Sequence, residues 1–177
     1  MIKRILFTAL LIIIITSPAI AEPIISTCAI DVYFSPNGGP TEAIVKEINN
    51  AKRKILVQAY TFTSQPIAKA IIDAHMRGIK IEVILDKIQR GEKYTAADFV
   101  AHDGIPTYID DKHAIAHNKI MIIDRSTLIT GSFNFTRAAE EKNAENLLVI
   151  KGNNLLVERY IRNFDEHKAH SEPYRGE

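Results

Sequence analysis

The chain has 177 residues, with 22 lysines and arginines against 21 aspartates and glutamates, a formal net charge of +1 at pH 7. That balance excludes a globally basic nucleic-acid binder, so any grip on a polyanion must come from local patches. A single cysteine, Cys28, excludes an intrachain disulfide and a cysteine-rich metal site.

At the N-terminus, Lys3 and Arg4 precede an apolar run from Ile5 to Ile15 broken only by Thr8, and Ala19-Ile20-Ala21 offers a small-x-small cleavage site. This is the pattern of an export signal over residues 1–21, and the apolar run is shorter than the ~20 residues of a membrane span. The expected mature chain starts at Glu22 and is periplasmic or secreted, with no stable membrane association. Losing Lys3 and Arg4 leaves 20 basic against 21 acidic residues, a formal −1. Residues 22–177 suffice for one domain with a real core.

Ala29–Ser35 is expected as a strand, Asn37-Gly38-Gly39 as a turn, and Thr41–Asn50 as a helix. Lys52-Arg53-Lys54 is taken as a solvated helix-to-strand junction before a second strand, Lys54–Thr61. Ser64 should cap a helix with apolar positions at Ile67, Ala68, Ile71 and Ile72, ending at Gly78. Ile79–Asp86 is a nearly continuous apolar run of the kind buried on both faces of a sheet. A polar loop follows, and Lys87, Arg90 and Lys93 around it are candidates for contacts to a substrate backbone.

Thr95–His102 is expected as a short helix stopped by Gly104, and Thr107–Ile109 as a short strand. Two β-branched stretches, Lys119–Asp124 and Thr127–Thr130, flank Arg125-Ser126 and predict a β-hairpin. Another strand carries Glu145, and an amphipathic helix spans Asn154–Lys168 with Leu155, Val157, Tyr160, Ile161 and Phe164 on its apolar face. Alternation early and a hairpin late imply an α/β fold, a mixed, mostly parallel sheet with helices on both faces.

The hairpin holds the chemistry. His117-Asn118-Lys119, Asp124 and Gly131-Ser132-Phe133-Asn134 read as H-x-K-x4-D-x6-G-S-x-N. If Arg125 and Ser126 form the loop tip, Lys119 faces Ser132 and His117 faces Asn134, which converges four polar groups on one face. A three-residue loop would slip that register. Asp124 has the opposite parity and is expected to order the turn or a neighbouring cation. Each residue alone has a bland reading: a structural histidine, a solvated lysine, a Ser or Asn capping a turn. Together they supply an imidazole, a fixed cation and two short hydrogen-bonding groups, the equipment for attack on a phosphodiester.

This pattern matches the HKD motif of the phospholipase D superfamily at every specified position. The resemblance runs from about Ile30 to Phe164 and is nearest to the small secreted single-motif bacterial endonucleases. Glu145 sits where that family carries a carboxylate on the following strand. The resemblance implies that His117 attacks phosphorus to give a phosphohistidine that water hydrolyses, and that a second imidazole protonates the leaving oxygen. It further implies that Glu145 fixes the tautomer of the nucleophile, that Lys119 and Asn134 hold the non-bridging oxygens, and that Ser132, Gly131 and Asp124 support the site. One motif copy per chain implies a homodimer sharing one active site across a two-fold axis. The implied substrate is DNA, with RNA open as a second; a phospholipase D-type lipid hydrolase or transferase is the alternative.

No cofactor is expected. His113 and His117 would suit zinc on a helix, but Ala114-Ile115-Ala116 leads into a strand pattern. His167 and His170 are expected near the frayed end of the last helix, and no acid-rich magnesium cluster is visible. The expectation is a metal-independent phosphodiester hydrolase.

Overall fold

The computed structural model describes residues 23–91 and 95–176; Lys93 and the expected export signal over 1–21 lie outside them. In chain order the elements are β1 (Ala29–Ser35), α1 (Pro40–Asn50), β2 (Lys54–Ala59), α2 (Gln65–Met76), β3 (Lys80–Asp86), α3 (Ala96–His102), β4 (Thr107–Asp110), β5 (Lys119–Ile123), β6 (Thr127–Gly131), α4 (Arg137–Glu141), β7 (Glu145–Lys151), α5 (Asn154–His170) and β8 (Glu172–Tyr174). One 3-10 turn, Lys87–Arg90, follows β3. Among the described residues no helix is long and apolar enough to cross a membrane.

All eight strands form one sheet in the order β1-β7-β6-β5-β2-β3-β4-β8. The fold is the expected mixed α/β sheet with helices on both faces, but mostly antiparallel rather than mostly parallel. Its parallel part is confined to β2-β3-β4, and every other neighbouring pair is antiparallel. Side-chain alternation divides the core. Ile55, Val57, Val83, Leu85, Met121 and Ile129 pack with Ile44, Ile48, Ile67 and Ile71 on the α1–α2 side. Leu56, Ile84, Ile120, Ile122 and Leu128 meet Val157, Ile161 and Phe164 of α5 on the other. Central strands carry long apolar runs because both faces are covered, with Gln58 of β2 a buried polar exception.

Three features depart from the sequence pattern. Leu155 is exposed rather than on the apolar face of α5. That helix also continues past Lys168 to His170, so His167 and His170 sit in its last ordered turn instead of a frayed end. β8, only Glu-Pro-Tyr, has no strand signal of its own and exists because β4 leaves an edge to pair with.

Strand directions gather one functional edge. The C-terminal ends of β2, β3, β4, β6 and β1 and the N-terminal ends of β5, β7 and β8 all lie together, since Ala59 pairs with Lys119, Asp86 with Asp110, Gly131 with Leu147 and Ser35 with Glu145. Lys54 starts β2 at the opposite edge and pairs with Glu82. The Lys52–Lys54 cluster is therefore remote from His117 and Lys119.

Candidate active site

Asp124 anchors the hairpin that holds the motif. Its carboxylate accepts hydrogen bonds from the backbone N–H groups of Lys52, Arg53 and Lys54 at 2.7, 2.7 and 3.0 Å, which ties the turn to the start of β2. These donors hold its carboxyl below the usual range against the opposing effect of burial. Asp124 orders the turn, as expected, and lies at the opposite end of β5 from Lys119.

The hairpin register corrects the expected pairing. Asp124 and Arg125 both adopt left-handed backbone conformations, φ 54° and 57°. The loop thus spans Asp124, Arg125 and Ser126, and Ile123 pairs with Thr127. Ile120 opposes Thr130, one step from the register a two-residue tip would give. Lys119 is consequently not opposite Ser132, and His117 precedes the first residue of β5 rather than pairing with Asn134. Asp124 tolerates the left-handed region because a short polar side chain can bond locally there, which is how a three-residue loop became available.

A bulge then re-aims the chain beyond β6. The N–H groups of Ser132 and Phe133 both donate to the Asn146 carbonyl, at 3.1 and 3.2 Å, the two-against-one arrangement of a β-bulge. Gly131 permits it: a Cβ there would lie 2.2 Å from the Asn146 carbonyl oxygen. Ser132 Oγ accepts a hydrogen bond from Asn146 N at 3.0 Å, so this hydroxyl braces β7. Phe133 and Phe135 are fully buried. Between them Asn134 is half-buried, with its Oδ1 buried and without a partner among the described residues.

Lys119 is 6% exposed at the head of β5. Its ammonium donates to the His117 carbonyl at 2.9 Å and sits 5.1 Å from the centroid of the Tyr60 ring. Burial pulls Lys119 down to about 8, with Glu145 on β7 acting in the opposite direction. Glu145 is near enough to influence this charge but forms no ion pair with it; it accepts from Asn143 Nδ2 at 3.2 Å, and its N–H donates to Ser35 Oγ. The His117 ring is exposed and packs on Tyr60 at 4.5 Å between centroids. Among the described residues no hydrogen bond joins it to Glu145.

Two residues here carry no motif signal. Tyr60, directly after β2, underlies both His117 and Lys119. Asp86, at the end of β3, is 3% exposed and accepts from Ala116 N at 2.6 Å and Ile88 N at 2.9 Å. It thereby fixes the segment leading into His117. An acidic residue ending an apolar strand was the available clue to it. Of the backbone-contact candidates, Lys87 donates to the His113 carbonyl at 2.9 Å and Arg90 pairs with Glu172 at 2.8 Å. Both lie at the motif's edge of the sheet but already have intrachain partners. Gln89 between them is a buried structural side chain whose Oε1 accepts from Phe62 N, rather than part of a solvated polar loop.

Comparison with known proteins identifies this arrangement. Residues 44–168 match the family described as cardiolipin synthase, PLD-like domain. The chain belongs to the phospholipase D superfamily. A phospholipase D from Rickettsia felis is 40% identical over 145 residues, 82% of this chain and 70% of that protein. A mitochondrial cardiolipin hydrolase from Xenopus tropicalis is 27% identical over 65% of this chain and 54% of its own length. The structure of Nuc, a phospholipase D family member from Salmonella typhimurium, superposes with a TM-score of 0.81 at 34% identity, covering 85% of this chain and all of that one. NucT from Helicobacter pylori gives a TM-score of 0.75 at 20% identity over 84% of this chain and all of its own. The chain is thus a phospholipase D-superfamily hydrolase of phosphodiesters.

Proposed function

We propose that the protein is a DNA endonuclease in which two copies share one active site. The observation that carries this reading is the state of Lys119: a buried ammonium with one hydrogen bond, to a carbonyl, beside an exposed imidazole. Burying a cation without an anionic partner is costly, and a phosphate oxygen is the group that would complete its shell. In this reading His117 attacks phosphorus, its bond to the leaving oxygen breaks, and His117 of the second copy donates the proton that oxygen needs. Water then attacks phosphorus and the P–N bond to His117 breaks, with the second imidazole now accepting the water proton. Glu145 orients an imidazole, Lys119 and Asn134 hold the non-bridging oxygens, and Ser132, Gly131 and Asp124 maintain the frame. The hydrolysis takes no metal and no cofactor.

A polymeric substrate is favoured because His117 stands on an open edge whose loops carry exposed Lys87, Lys112 and Lys142. Such contacts go to phosphates and carry little sequence information, so both DNA and RNA are accessible substrates. A second copy is supported by an apolar strip on edge strand β1, where Ile30, Val32 and Phe34 are 52%, 50% and 64% exposed. The strip ends at Ser35, which pairs with Glu145.

One observation favours a lipid phosphodiester instead. Ile88 and Ile115, 41% and 58% exposed, flank Lys87 and His117, and the rickettsial relatives are named phospholipase D. The deciding experiment incubates the protein with labelled DNA or with phosphatidylcholine vesicles, quenches under denaturing conditions, and maps an acid-labile adduct. A DNA-derived adduct on His117 supports the nuclease; an adduct or turnover with vesicles alone assigns the lipid reaction. Mixing His117→Ala chains with wild type tests sharing: full activity per wild-type chain in mixed dimers rules it out. Brief chelation well below the melting temperature should leave the rate unchanged.

A further inference from the structure

On the α5 side of the same edge, four side chains far apart in sequence meet around one carboxylate. Asp110, at the end of β4, is fully buried. The Nδ1 atoms of His113 and His167 lie 3.0 and 2.6 Å from its Oδ2, and His170 Nε2 lies 3.3 Å from its Oδ1. The three rings form a triangle with centroids 4.7, 5.2 and 5.4 Å apart. One donor atom from each of the four residues falls within 4.8 Å of all the others.

Hydrogen bonding does not satisfy this cluster. The Nδ1 atoms of His113 and His167 lie within hydrogen-bonding distance of Asp110, while His170 Nε2 is buried 3.3 Å from Asp110 Oδ1 without a well-formed hydrogen bond. Three tilted imidazoles crowd their ring nitrogens around this one carboxylate. A cation between them would use a lone pair from every member.

We propose that Asp110, His113, His167 and His170 form a closed, structural binding site for a zinc-type divalent cation. Three imidazoles and one carboxylate suit a borderline-soft ion such as Zn(II) and not the hard ions calcium or magnesium, which take oxygen. Four protein ligands fill a tetrahedron and leave no open position, the mark of a structural rather than a catalytic zinc. Donors about 2.0–2.1 Å from the ion stand roughly 3.3 Å apart, so the widest pair closes by about 1.5 Å at most while the 2.6 Å Asp110–His167 pair opens slightly. His167 and His170, three apart, present one face of α5.

The fold gives such an ion a task. His113 lies in the segment that runs from β4 to His117; Lys87 already holds its carbonyl, and Asp86 holds Ala116 three residues later. Binding His113 to α5 would clamp that segment at a third point and fix the approach to the motif. The ion is a brace for the loop and takes no part in bond breaking.

The test uses untagged full-length protein freed of metal by chelation and titrated with zinc chloride by calorimetry and thermal melting. One zinc per chain and a raised melting temperature are expected, with neither effect from magnesium or calcium chloride. Cobalt(II) should give the intense visible bands of a four-coordinate ion. His113→Ala, in an exposed segment that tolerates change, and His170→Gln should each weaken zinc binding more than ~100-fold, beyond the 10–100-fold typical of residues that only support a ligand. His102→Ala should leave it unchanged. Weak multi-site uptake insensitive to His113→Ala and His170→Gln, with both variants folded by circular dichroism, would overturn the assignment, as would a six-coordinate cobalt spectrum.

Discussion

The Lys119 ammonium lies 5.1 Å from the centroid of the Tyr60 ring, and the same ring carries His117 on it at 4.5 Å. One aromatic side chain therefore positions both Lys119 and His117. A cation over an aromatic face gains ~0.5–2 kcal/mol, more when desolvated. Tyr60→Ala should lower kcat/KM for phosphodiester cleavage about 10-fold or more, with both the cation contact and the imidazole support lost. Tyr60→Phe keeps the platform and should stay within about 2-fold. Equal losses in both variants would point to the hydroxyl as the working group.

Lys119 also sets an alkaline limit. Its ammonium titrates at about 8 because burial disfavours the charge, the Glu145 carboxylate only partly opposing this. Since kcat/KM reports groups of the free enzyme, it should fall tenfold per pH unit above about 8. In the complex, phosphate raises the lysine, so the limb in kcat should lie at higher pH. Lys119→Arg should remove that limb while lowering activity at its optimum. For stability the sign is reversed from that of a salt-bridged lysine. The unfolded chain keeps this proton up to about 10.4 and the folded chain releases it near 8, so the Lys119 contribution improves as pH rises through that window. Rate profiles and urea melts from pH 7 to 11 check both statements.

Much of this was legible in the sequence, for a physical reason in each case. The nearly continuous apolar run of β3 marked a strand buried on both faces, because helices covering each side of a sheet exclude water from both. The motif spacing named His117 and Lys119. Register was not legible, since it depended on Asp124 and Arg125 both accepting a left-handed backbone and on a bulge opposite Asn146. Tyr60 was missed because its contacts cross from β2 to β5. The Asp110 cluster was missed because His167 lies 57 residues from Asp110, and no local pattern encodes a meeting made by α5 lying over β4.

Asp124 gives a stability prediction separate from catalysis. Three backbone N–H groups converge on one carboxylate, so Asp124→Ala should cost about 2 kcal/mol through unpaired donors. The melting temperature should drop by about 4–8 °C. Asp124→Asn keeps an acceptor and tolerates the left-handed backbone, so roughly half that loss is expected. Its folded pKa is depressed, so the stabilisation is fully present above the unfolded value near 3.9 and is lost as pH falls through the lower folded one. Thermal melts of wild type and Asp124→Asn should therefore converge in acid.

The β1 strip offers the sharpest test of two-copy catalysis. Ile30, Val32 and Phe34 alternate onto one face of an edge strand and stay at least half exposed, a bare apolar surface beside an unpaired backbone. Exposed edges of this kind invite association. Charging the strip with Val32→Asp and Phe34→Asp should convert the protein to monomers in sedimentation, because the two carboxylates would have to be buried unpaired. Activity should fall at least ~100-fold, the lower bound for losing a general acid, while the melting curve of the monomer remains cooperative. At low protein concentration the wild type should lose specific activity along the same path. A double variant that stays dimeric and active would place the interface elsewhere, and a fully active monomer would remove the need for a second imidazole.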